Sequence, residues 1–148
     1  MKKIAKISFL LLFFTIFYSS STMAQNNLED ALQKAKTENK TIFLNFSGSD
    51  WCRSCILLKK TILNTDEFKK FAEKNLVILD VDFPRLKKNK LSKEQTALNE
   101  SLAANYNSKG QFPTVILMNS DAKVIGKTGY KKVSPEEYIE HLQSLIAQ

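Results

Sequence analysis

Two cysteines stand three residues apart in Trp51-Cys52-Arg53-Ser54-Cys55, and they are the only two in a chain of 148 residues. Scattered at random, a pair would fall at that interval roughly once in 75 arrangements, so the spacing is informative before any fold is considered. Two sulfurs this close can exchange a disulfide with a partner: one thiolate attacks the partner's bond and the second thiol completes the exchange. Small exported domains are stapled by several bridges closing long loops, whereas a bridge over two intervening residues removes little chain entropy. The pair is poorly placed as a staple. It could also hold a soft ion such as Cu(I) between its sulfurs. A tetrahedral zinc site needs about four ligands, and two cysteines with one remote histidine, His141, fall short, so no such metal site is expected.

The N-terminal segment says where such chemistry would run. Lys2, Lys3 and Lys6 precede an apolar stretch over 7–18 and a Ser- and Thr-rich stretch ending at Ala24, with no acidic residue. An apolar run of about 12 residues is too short for a bilayer that takes about 20 helical residues, and Thr22-Met23-Ala24 offers small residues at alternate positions to a signal peptidase. The sequence therefore predicts a signal peptide over 1–24, cleaved after Ala24, with residues 25–148 delivered across the inner membrane to the periplasm. No cysteine follows the run to take a lipid. Loss of three leader lysines lowers the formal charge from +7 to +4. A charge of that size favours solubility, and without a clustered basic face and motif support it gives no reason to expect a nucleic-acid partner.

With 43% hydrophobic and 10% aromatic residues, four Gly and three Pro, the chain has the material for one packed domain and excludes collagen-like, repeat and disordered classes. Leu28, Ala31, Leu32 and Ala35 are at helical spacing after the capping residues Asn26 and Asn27. Residues 41–46, TIFLNF, read as a buried strand ending at Ser47-Gly48-Ser49. Ile56, Leu57, Leu58, Ile62 and Leu63 continue one helix after the cysteines. Thr65 caps another ending near Asn75. Residues 76–81, LVILDV, read as the middle of a sheet covered on both faces. The basic stretch 85–93 reads as exposed connection, and residues 92–106 as a helix with Leu98, Leu102 and Tyr106 along one side. Residues 114–118 and 123–127 form a hairpin, and Ser134-Pro135-Glu136-Glu137 starts a last helix. This order predicts an α/β fold with a central mixed sheet of about four strands flanked by helices.

Placed on those elements, the residues resemble the thioredoxin superfamily. The likeness rests on Trp51-Cys52-Arg53-Ser54-Cys55 between a strand and a helix, on Phe112-Pro113-Thr114 opening the hairpin, and on the element order over 28–146. Gly48-Ser49-Asp50-Trp51-Cys52 looks like exported bacterial thioredoxin-like proteins and is similar to the C-terminal thioredoxin-like domain of the periplasmic reductase DsbD. The resemblance implies a redox-active Cys52–Cys55 disulfide with no other cofactor, a cis Pro113 standing against it, and substrate contacts from Trp51, Phe112 and Pro113. Many members carry a buried Asp on the strand before the motif as proton acceptor for the inner cysteine. Here Asn45 is the best match, and Asn cannot accept that proton.

A working thiolate needs its pKa drawn down from roughly 8.5. Cys52, at the strand-to-helix junction, has unpaired amides and the positive helix end beside it, with Arg53 as an added charge. It is expected to be the accessible attacking sulfur, and Cys55, one turn further in, the shielded resolving thiol. Asp50 is a candidate for the missing carboxylate's role. The Lys-rich 85–93 segment reads as solvated surface, whose loss should leave activity on a small disulfide unchanged. The expected protein is an exported, monomeric thiol–disulfide oxidoreductase acting on protein disulfides, reductase rather than oxidase, recharged by a membrane or soluble electron-transfer partner. The rival reading is a non-catalytic adaptor or Cu(I)-binding protein.

Overall fold

The computed structural model describes residues 27–147; the expected signal segment lies outside the described residues. Helix α1, Leu28–Glu38, starts because the Asn27 side chain accepts the Asp30 N–H, and it stops at Asn39, whose φ of 52° is left-handed. Strand β1, Thr41–Ser47, follows. After the cysteine turn come α2, Arg53–Leu58, and α3, Asp66–Asn75, capped by Thr65. Strand β2 is Leu76–Asp82. Helix α4, Lys93–Tyr106, is capped by Ser92, strands β3, Thr114–Met118, and β4, Val124–Thr128, make the hairpin, and α5, Pro135–Ile146, opens with a Ser134/Glu137 capping box. No described helix is long and apolar enough to cross a membrane.

The sheet order is β2-β1-β3-β4, with β1 parallel to β2 and antiparallel to β3, so the mixed four-stranded sheet read from the sequence forms. Two details are corrected. β2 lies at the edge and β1 inside: Ile78 is 45% exposed and Asp80 is exposed, whereas Ile42 to Phe46 are all buried. The apolar run of β2 hid an alternation in which Val77, Leu79 and Val81 face the core beneath α1 and α4, and Ile78, Asp80 and Asp82 face the other way. Likewise, the helix after the cysteines is not continuous. α2 gives way at Lys59 to a π-helical turn, Lys59–Leu63, a widened turn of the kind found at functional sites.

The two core layers follow the strand period. Ile42, Leu44, Phe46, Ile116 and Met118 pack under α1 and α4. Phe43, Val115 and Leu117 pack with Leu58, Ile62, Phe68, Tyr138 and Leu142 on the opposite face. Asn45 lies on that second face too, at a register position opposite Asp80.

Candidate active site

β1 ends at Ser47, and five residues must then turn the chain into α2. Gly48 closes that turn: its carbonyl accepts the Trp51 N–H at 3.2 Å and the Cys52 N–H at 2.8 Å. A β-carbon built on Gly48 would stand 2.3 Å from the indole, so only glycine lets Trp51 fold down here. Cys52 is the N-cap of α2, its Sγ accepting the Cys55 N–H at 3.2 Å where Asn27 or Ser92 use oxygen for α1 and α4. Cys52 and Cys55 are joined, S–S 2.10 Å with Cα atoms 5.2 Å apart. The expected contrast of an accessible Cys52 and a shielded Cys55 is not seen in the bridged pair, whose residues are 7% and 5% exposed.

Aromatic rings wall one side of the turn. Trp51 Nε1 donates to the Phe83 carbonyl at 2.7 Å, and its ring meets Phe112 edge-on at 5.5 Å. Phe83 meets Phe112 at the same distance, and the Arg85 guanidinium lies 3.8 Å over the indole. Arg85 is exposed, as expected of its segment, and its guanidinium in addition covers one face of the indole. The Phe112–Pro113 peptide bond is cis. Because Thr114 pairs with Phe46, Pro113 falls at the end of β1 from which the cysteine turn leaves. Asn107, buried and polar, fixes this segment by donating to the Gln111 carbonyl and accepting its N–H, while Thr114 Oγ1 donates to the same carbonyl. Behind it, Gly129 leaves no room for a side chain: an added β-carbon would lie 2.8 Å from the Pro113 carbonyl oxygen. A cleft of about 570 Å³ opens between Trp51, Phe83, Phe112, Leu91, Arg85 and Lys90.

On the other side, Cys55 borders a cavity of about 350 Å³ with Asn45, Lys59, Ile78, Asp80 and Asp82. Asn45 Nδ2 donates to Asp80 Oδ1 at 2.8 Å, and Asn45 Oδ1 is buried with no hydrogen-bond partner among the described residues. Asp82 clasps the turn, its Oδ1 accepting from Ser47 Oγ at 3.0 Å and Ser49 N at 2.8 Å and its Oδ2 from Ser49 Oγ.

One expected site residue is engaged elsewhere, and another is exposed. Asp50 is turned to the basic connection, accepting the Arg85 and Leu86 N–H groups at 2.9 and 3.0 Å and Asn89 Nδ2 at 3.0 Å, and the first of these bonds leads in holding its carboxyl below the ordinary range. It is spent on that loop rather than on either sulfur. Arg53 is exposed at the first position of α2. The carboxylates that border the cavity beside Cys55 come from β2, which sequence reasoning missed. Their signal was present in the alternation Ile78-Asp80-Asp82, legible only once β2 is known to be an edge. His141 is half-buried, its Nε2 3.0 Å from Thr128 Oγ1. Among the described residues no three His, Cys, Asp or Glu side chains gather as a metal site.

Comparisons with known proteins agree with this geometry. A family model described as a thioredoxin-like domain matches residues 28–146. The disulfide bond reductase DsbH of Chlamydia pneumoniae is 32% identical over 128 residues, spanning 86% of this chain and 75% of that protein. A solved structure described as DsbH oxidoreductase superposes with a TM-score of 0.75 at 33% identity over 82% of each chain. The oxidised C-terminal domain of Neisseria meningitidis DsbD matches in fold, with a TM-score of 0.50 at 23% identity over 78% of this chain and 89% of that one.

Proposed function

The chain belongs to the thioredoxin-like family, and on that premise we propose that it is an exported periplasmic thiol–disulfide oxidoreductase that works as a reductase of protein disulfides. The observation that carries the reading is the bridged Cys52–Cys55 pair capping α2 beside the Trp51–Phe112–Pro113 wall. In the reduced protein, the Cys55 N–H that now meets Cys52 Sγ is positioned to stabilise a thiolate there, since a donor to the charged form lowers a pKa. With α2 only six residues long, this direct bond matters more than a summed helix dipole, whose effect resides in the first turn. Cys52 attacks a partner disulfide and displaces one partner thiolate; Cys55 then attacks Cys52 Sγ, releasing the second. The pair loses two electrons and the partner gains them. A separate dithiol protein, membrane-bound or soluble, must return those electrons.

The backbone of 111–113, held by Asn107 and Gly129, is the surface on which a substrate segment lies, and the aromatic cleft takes its flanking side chains. Export to the periplasm rests on the 1–24 segment, and the likeness to the disulfide bond reductase DsbH supports the reducing direction. Insulin reduction driven by dithiothreitol tests the reading. The wild-type protein should turn insulin over and Cys52→Ser should not; an adaptor or Cu(I) carrier would show no turnover in either. For direction, a glutathione titration of the pair should give a potential well below the poise of the compartment, and a potential above it would make the protein an oxidant.

A further inference from the structure

The strand before the cysteine motif offers an amide, Asn45, where a carboxylate would be needed to take a proton from Cys55. The neighbouring strand supplies one. β1 and β2 run parallel with Asn45 opposite Asp80, so both side chains leave the sheet on the face that carries α2. Only Asn45 Nδ2 can donate to an acceptor-only carboxylate, and the 2.8 Å bond to Asp80 Oδ1 fixes the amide that way round. Its Oδ1 is thereby left buried and without a partner among the described residues. A buried acceptor left so is costly and calls for a reason in the chemistry of the site. The cavity bordered by Asn45, Asp80 and Cys55 measures about 350 Å³, room for several water molecules at about 30 Å³ each.

We infer that Asp80, held by Asn45 across the β1–β2 pair, accepts the proton of Cys55 during the resolving step. Asp82 borders the same cavity, but both its oxygens are occupied by Ser47 and Ser49, whereas among the described residues Asp80 has a hydrogen bond on Oδ1 alone. The charged groups facing the site are Asp80 and Asp82 from β2 and Lys59 from the π-helical turn. The step balances as follows. The Cys55 S–H gives its proton to Asp80 through the cavity, and the resulting thiolate attacks Cys52 Sγ in the mixed disulfide. The Cys52–Cys55 bond forms, the Cys52–partner bond breaks, and the partner leaves as a thiolate that is protonated by solvent. Asp80 afterwards returns its proton to water. The π-helical turn has a part in this arrangement, because Lys59 and Leu63 form the wall of the cavity opposite the strands.

The inference rests on the oxidoreductase reading, and one experiment separates the two. Reduced protein is mixed with 5,5′-dithiobis(2-nitrobenzoate) in a stopped-flow instrument; the first nitrothiobenzoate released reports attack by Cys52 and the second reports attack by Cys55. Asp80→Asn should slow the second release roughly tenfold to a hundredfold at pH 7 and leave the first within about twofold. Its second release should recover as pH rises past roughly 8.5, where a thiol ionises unaided. Asp80→Glu should restore much of the rate. Should Asp80→Asn fail to fold, Asn45→Asp combined with Asp80→Asn returns a carboxylate to the cavity from β1 and should show a fast second release. A second release whose pH profile is the same in Asp80→Asn and the wild-type protein overturns the inference, as does one slowed equally at every pH. If the wild-type protein gives no second release, the redox reading itself fails.

Discussion

Removing the sulfur of Cys55 leaves Cys52 able to attack and nothing to release what it captures. Cys55→Ala should accordingly accumulate mixed disulfides through Cys52 on non-reducing gels of periplasmic extracts, and Cys52→Ala should accumulate none; capture through Cys55 instead would reverse the roles. This order is the expectation from the motif, and the surroundings of the two residues supply a physical argument for it that exposure does not. The two sulfurs are almost equally covered, and what distinguishes them is their surroundings: Cys52 takes an amide N–H, and Cys55 faces the Asn45–Asp80 cavity. Trp51 is the other residue whose role is local. Its indole holds Phe83, Phe112 and Arg85 together, so Trp51→Ala should weaken binding of peptide disulfides while leaving reaction with a small disulfide within about threefold, measured as KM against kcat. A proportional loss on both substrates would count against a substrate-facing role.

At the scale of elements, the turn 48–52 and the connection 83–91 depend on each other. Gly48→Ala should cost about 1–3 kcal/mol through forced displacement of Trp51, read as a lowered urea midpoint together with changed tryptophan fluorescence. Asp50 ties the connection down, and its pKa lies below the ordinary 3.8, chiefly through the Arg85 N–H. The sign is fixed by that direction: the folded state prefers the ionised carboxylate, so its contribution is full above the ordinary value and fades as pH falls through the lowered one. Trp51 fluorescence should therefore change in acid as Arg85 is released, and Asp50→Asn should show the released signal already at neutral pH. The elements themselves were largely legible, because capping residues such as Asn27, Thr65, Ser92 and Ser134 mark helix starts. The π-helical turn at Lys59–Leu63 was not, since apolar spacing at Leu58 and Ile62 suits an ordinary helix equally well. The edge position of β2 was missed because an apolar run of that length looks the same inside a sheet as at its border. With it went Asp80, the residue on which the relay depends.

For the molecule as a whole, the β3–β4 hairpin and α5 brace the substrate-facing loop from behind. Tyr138 is buried, burial pushes its phenol up, and its hydroxyl donates to the Gly129 carbonyl at 3.0 Å, next to the point where Gly129 meets Pro113. Tyr138→Phe should cost about 1 kcal/mol of stability with little change in shape. His141 is held below its ordinary 6.5, first by burial and then by Lys131, so the folded state prefers the neutral ring. Its contribution is present above about pH 6.5 and is lost as pH falls through the lowered value; the melting temperature of wild type should drop more between pH 7.5 and 5 than that of His141→Gln. The account as a whole depends on the amino-end sulfur being an anion at neutral pH once the bridge is reduced. The rate of iodoacetamide alkylation of Cys52, followed against pH by mass spectrometry in reduced Cys55→Ser protein, measures this directly. The account predicts fast alkylation already level by pH 7; a rate that climbs through roughly pH 8.5, as for a free cysteine, would contradict it.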